Sequence, residues 1–396
     1  MTRKYTFILI AAWMLLSAPA VCAGQSLQET KLPASLIENL NYLLSFIGKE
    51  APPPEQFQPQ RIENILDFVG QPIEEDRLYH AGEFNDAPSA YYVLDLRRSL
   101  ADILRITYNP DIHPVISAPA TIRTSRWTRI DRSDGKLPLL WNMLDTLQKP
   151  VIVTGVEFIV NSPDTHSGAY YEYDLDRTLI LMRHQGENIF ISLSKQSDVS
   201  GVGKKGHVIG SDSQWDYLYS DEAGLTKPGI GWARSYMYDS YSVVIYRELQ
   251  THPRTVRFGV FKWVRAGWAG INLVRSEHIY DGLLRFGYVF KEIIEDPQIV
   301  DAGHIEQTCN SIRHLSDEEL REIVGAYLER LENRCTAEGV LSTREIEEYF
   351  TQGKYLRSLD RHEMEAIVAL EFIKQLLGKS QETKLTYLPP FTKMID

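Results

Sequence analysis

Residues 276–295 read Ser-Glu-His-Ile-Tyr-Asp-Gly-Leu-Leu-Arg-Phe-Gly-Tyr-Val-Phe-Lys-Glu-Ile-Ile-Glu. Ile279, Leu283, Phe286, Phe290 and Ile293 recur at spacings of four and three, which gathers them on one apolar face of an α-helix. Ser276 stands where an N-cap belongs, and Pro297 ends the run. Gly282 and Gly287 each lower intrinsic helix stability by ~1 kcal/mol. The usual return for that cost is close backbone approach to a neighbour, so this helix is expected to lie tightly across whatever it packs on.

The stretch before it is β-rich. Residues 121–130, 151–160, 242–247 and 255–264 read as strands, and a Gly267-Trp268-Ala269-Gly270 turn precedes another at 271–274. Residues 177–183 and 189–194 flank His184-Gln185-Gly186-Glu187-Asn188, a hairpin signal. A short helix is expected at 139–147. Upstream, apolar residues at 36, 37, 40, 43, 44 and 47 mark a helix between Pro33 and Gly48, and a shorter helix covers 61–69. Residues 89–106 place Val93, Leu96, Leu100, Ile103 and Leu104 on one helical face.

Downstream, residues 301–396 are helical and acidic, with 12 Lys and Arg against 18 Asp and Glu. Ser316 with Glu319 and Ser342 with Glu345 form capping boxes, and Asp360 caps a further helix. The expected organisation is a helical N-terminal region at 24–110, a central domain at 111–300 and a helical module at 301–396. The fold class is α+β: a central antiparallel sheet with a long helix packed across it, flanked by helical parts. Strands curling round a long terminal helix resemble the helix-grip arrangement of lipid- and polyketide-binding domains, a likeness of architecture rather than of motif.

Residues 1–23 carry a basic head at Arg3 and Lys4, a short apolar run and small residues ending at Val21-Cys22-Ala23. That is the pattern of a secretory signal peptide, with cleavage expected near Ala23 and a periplasmic or secreted product. Losing Arg3 and Lys4 takes the formal net charge from −11 to −13. Such acidity argues against non-specific nucleic-acid binding, which needs clustered cations. Past the signal, no run of ~20 apolar residues remains to span a bilayer. Cys309 and Cys335 are then the two remaining cysteines, and in an oxidising compartment they are expected to form a disulfide.

Catalytic and metal motifs come close without matching. Ser192-Leu193-Ser194-Lys195 spells S-x-x-K, but in a strand, where residues three apart face opposite ways. Gly201 to His207 has glycines and lysines without phosphate-loop spacing. His362-Glu363 lacks the second histidine of a zinc helix. Residues 334–345 resemble an EF-hand loop, except that Arg334 stands where the first carboxylate ligand belongs. No cofactor or metal is expected.

The segment 196–240 reads as a long loop rich in aromatic and small polar residues, a composition suited to binding surfaces. Its candidates for ligand contact are Lys204, Lys205, His207, Trp215, Asp216, Tyr219, Trp232, Arg234 and Tyr236. The expected function is an exported binding protein that holds a hydrophobic or amphipathic ligand between sheet and helix, with this loop as the mouth. Two alternatives stand beside it. One is an envelope hydrolase using His207 or His184 with a carboxylate, and the other is an envelope assembly protein meeting protein partners through its helical ends.

Overall fold

Gln185 and Gly186 both take positive φ, 51° and 85°. This is the geometry of a two-residue turn whose twist matches the strands it joins, so His184 pairs directly with Glu187. The hairpin lies at the centre of the sheet. The computed structural model describes residues 28–379 except 73–76, 132, 166, 228–230, 253 and 300, together with Leu385. The expected export segment at 1–23 lies outside the described residues.

The described residues begin with β1 (Gln28–Lys31), α1 (Ala34–Leu44), α2 (Glu63–Gly70), β2 (Arg77–His80), β3 (Ser89–Leu96) and α3 (Leu100–Thr107). The central part runs β4 (Ile122–Asp131), β5 (Val151–Asn161), β6 (Ala169–Tyr170), β7 (Glu172–His184), β8 (Glu187–Gln196) and β9 (Lys204–Val208). It continues through β10 (Tyr217–Ala223), β11 (Leu225–Lys227), β12 (Gly231–Ala233), β13 (Ser235–Leu249), β14 (Thr255–Trp268) and β15 (Ile271–Asn272) into α4 (Ser276–Glu295). The C-terminal part is α5 (Ala302–His314), α6 (Asp317–Glu338), α7 (Thr343–Phe350), α8 (Lys354–Ser358) and α9 (Arg361–Leu376).

The main sheet is antiparallel, in the order β15-β14-β13-β8-β7-β5-β4, with β3 pairing β14 on the same edge as β15. Alternation along the strands divides its faces. Ile189, Ile191, Leu193, Val243 and Ile245 point to one face, where α1 and α2 cover them with Leu36, Leu40, Leu43, Ile65, Leu66 and Val69. Each fully buried side chain of this kind contributes roughly 2 kcal/mol. Phe190, Tyr246, Phe258 and Val260 point to the other face, toward α3, α4 and the C-terminal helices. The fold is α+β, as the residue pattern implies.

Four local expectations change. Residues 89–106 are not one helix: they form β3 and then α3, divided at Ser99, whose hydroxyl accepts the Asp102 N–H at 3.2 Å. Tyr91 stacks on Phe261 of β14 at 4.3 Å, a cross-strand contact that local periodicity does not reveal. The 24–110 stretch therefore supplies strands as well as helices. The segment 196–240 is not a loop either, since it carries β9 to β12 and the start of β13.

The expected disulfide is absent. Cys309 on α5 and Cys335 near the end of α6 are both buried free thiols, and burial pushes each up to about 11. Finally, α4 begins at Ser276 with Arg275 in the cap position. The capping boxes at Ser316, Ser342 and Asp360 are all formed.

Candidate functional site

Between the second sheet face and α4 lies a cavity of about 1820 Å³. Its existence follows from where α4 does and does not touch the sheet. At Gly287 the helix backbone meets the ring of Tyr92 on β3, so the helix is pinned there. At Gly282 nothing lies within 4 Å of where a side chain would start, and that residue lines the cavity. Only one of the two glycines thus serves close packing. Toward its N-terminus α4 borders open space.

The walls are graded along the strands. Near the C-terminal half of α4, Val260 lies opposite Val244 and Phe258 opposite Tyr246. Phe290 packs 5.7 Å from Phe258 and stacks on Phe286 at 5.1 Å, closing this end with aromatic surface. At the rim, Leu139, Trp268 and Leu273 line the cavity while remaining exposed to solvent by 44%, 36% and 44%. Exposure of three large apolar side chains around one opening departs from the scattered pattern of an ordinary surface.

Between these apolar ends one register row is polar. Lys262 of β14 lies opposite Ser242 of β13, Ser242 opposite Ser194 of β8, and Ser194 opposite Arg177 of β7. The Ser194 and Ser242 hydroxyls share a 2.6 Å hydrogen bond. Arg177 donates to Ser192 at 2.9 Å and pairs with Glu157 of β5, which also accepts from Ser125. Burial works against the Arg177 charge, and Glu157, with the phenols of Tyr108 and Tyr173, more than offsets it.

Lys262 donates to Ser240 at 2.8 Å. Burial pushes its ammonium down to about 8, with like-charge repulsion from Arg177 added. On the Phe258 side of the row, burial raises the phenols of Tyr108 and Tyr246. At a separate edge of the cavity, burial and then Arg313 lower His113 to about 4.

The candidates drawn from 196–240 occupy other places. Lys204 pairs with Glu172 at 2.8 Å and Lys205 with Glu345 at 2.7 Å, so both charges are neutralised. His207 is half-buried near Tyr349, and its burial and then Lys205 lower it to about 4. Trp215 is fully buried, with Lys379 over its ring at 4.6 Å. Asp216 binds Arg334 and Lys374, which locks β10 to the C-terminal helices. Tyr219 packs on Tyr170 at 5.1 Å beneath Arg123.

Trp232 lies on β12 opposite Thr226. Arg234 is exposed, and Tyr236 is half-buried beside Tyr238. Of the eight whose side chains are described, none lines the cavity, whereas their neighbours Ala233, Ser235 and Met237 do. His184 also lies elsewhere, 3.2 Å from Asp67.

The residues missed in the sequence are Arg177, Glu157 and Lys262. Lys262 left a readable trace: alternation puts it on the same face as Phe258, Val260 and Val264, a cation in an apolar row. Its depth was not readable, because β14 and α4 enclose it only in three dimensions. Among the described residues no group of His, Cys, Asp and Glu is placed to hold a metal ion. No described helix is long and apolar enough to cross a membrane.

No protein-family model and no curated protein sequence matches the chain. Among solved structures, the human StarD13 (DLC2) lipid transfer and protein localization domain is similar at 10% identity, over 56% of this chain and 83% of that one, with a TM-score of 0.28. A likeness of that size carries no weight for function.

Proposed function

We propose that this protein binds a hydrophobic or amphipathic ligand in the cavity between its sheet and α4. The observation that carries this reading is a space of about 1820 Å³ with apolar walls and an exposed apolar rim. Small-molecule sites commonly occupy roughly 300–1,000 Å³ and are apolar with a few placed polar groups. This one is larger, which suits a long or branched aliphatic molecule, and the row that includes Lys262, Ser242 and Arg177 sets polar groups across its sheet wall. The mouth in this reading is formed by Leu139, Trp268 and Leu273 rather than by the segment 196–240.

Native mass spectrometry of protein purified without unfolding, followed by solvent extraction, tests it. The expected result is a mass above that of the chain, with a lipid-like molecule in the extract. An apo mass that stays unchanged after incubation with lipid extracts overturns the reading. Export after cleavage near Ala23 remains part of the proposal, supported by the pattern of residues 1–23. N-terminal sequencing of protein recovered from cells is expected to begin at residue 24, and an intact Met1 end would overturn that part.

A further inference from the structure

We infer that the ligand carries one negative charge on its head and that Lys262 receives it. This rests on the cavity-binding reading and names the ligand class of the same site. The first support is a charge balance. Arg177 and Glu157 form an ion pair, so each compensates the other. Lys262 has no carboxylate within 4.0 Å among the described residues; its hydrogen bond goes to the Ser240 hydroxyl, and the neighbouring charge acting on it is Arg177, of the same sign. Burying a charge without a counter-ion is expensive. A protonated Lys262 leaves the row at one net positive charge, which a monoanion neutralises.

Position is the second support. Lys262 lines the cavity together with Ser242, its cross-strand partner, so a hydroxyl stands near the ammonium to help complete the shell of an oxygen anion. Val264 and Ala266 follow on the same strand face toward the rim, and Leu283 and Ile279 of α4 also border the cavity. An anionic head at Lys262 and an aliphatic tail running toward Trp268 therefore match the grading of the walls. A fatty carboxylate is the simplest molecule with this chemistry. The lowered pKa agrees, since bringing in an anion would restore the proton that burial loosens.

The test is fluorescence titration of the full chain with cis-parinaric acid and with its methyl ester, which share one tail and differ at the head group, charged in one and neutral in the other. The wild-type protein is expected to bind the acid about tenfold or more tightly than the ester, the scale of one charge-assisted hydrogen bond. Lys262→Met is expected to remove that preference while keeping ester affinity, and Lys262→Arg to retain it. Equal affinity for acid and ester in the wild type, or a preference that survives Lys262→Met, overturns the inference while leaving the cavity reading intact. If neither probe binds the wild type, the cavity reading fails and the inference fails with it. Ester binding by Lys262→Met shows that the variant is folded.

Discussion

The ring of Tyr92 occupies the space into which a side chain at Gly287 would project. That contact fixes α4 against β3 and leaves the helix free to stand off the sheet at Gly282. Gly287→Ala is expected to destabilise the fold by about 1–2 kcal/mol, because overpacking against the ring outweighs the ~1 kcal/mol helix-propensity gain. Gly282→Ala is expected to stabilise by up to ~1 kcal/mol. Denaturant midpoints of the two variants check the contrast, and equal shifts of the same sign would refute it.

The same asymmetry allows the cavity to be blocked. Gly282→Trp places an indole where nothing now lies within 4 Å. It is expected to lower the affinity for cis-parinaric acid at least tenfold while the far-ultraviolet circular dichroism stays unchanged. Undiminished affinity with intact folding would place the probe elsewhere.

Lys262 gives a signature at high pH. Its folded pKa, about 8, lies below the ordinary 10.5. Between these values the unfolded chain holds more protons, so the stability of the ligand-free protein rises with pH across this window. Lys262→Met is expected to remove that contribution. Facing the cavity around it are Arg177 of β7, Glu157 of β5, Tyr246 of β13, Tyr108 after α3, and His278 and Asp281 of α4. Comparing wild type with Lys262→Met isolates its titration from theirs. Anion binding near pH 8.5 is expected to take up protons, which calorimetry in buffers of different ionisation enthalpy measures.

Low pH acts through histidines. Burial, with Arg313 adding repulsion, holds His113 down to about 4 against an ordinary 6.5. Its contribution to stability is present above 6.5 and is lost as pH falls toward 4, where the unfolded chain takes the proton first. Melting temperatures across pH 4–7 are expected to fall less steeply for His113→Gln than for the wild type.

The thiols offer a direct check. Alkylation under non-reducing denaturing conditions, followed by peptide mapping, is expected to label both Cys309 and Cys335. In the native state the reaction is expected to be slow, since both are buried and raised to about 11.

The sequence made the frame readable and hid the site. Gln185-Gly186, the capping boxes and the apolar stripe of α4 declare themselves locally, through turn chemistry and period. Residues 89–96 misled because Val93 and Leu96 fit a helical face as well as a strand, and only pairing with β14 decides between them. The aromatics of 196–240 drew attention by composition, yet Trp215 and Tyr219 are packing residues. Register made the difference for Lys262, Ser242, Ser194 and Arg177. They are 85 positions apart in sequence at their extremes, and they share one row only once four strands align.

That row also sets a measure. From Lys262 to Trp268, β14 advances six residues, about 20 Å of extended strand. A tail anchored by its head at Lys262 has that much sheltered distance before it passes the indole at the rim. Each added methylene within the span gains roughly 0.8 kcal/mol of burial, and those beyond it gain nothing. The fold would then work as a yardstick, with affinity climbing along a homologous series and levelling off at one chain length.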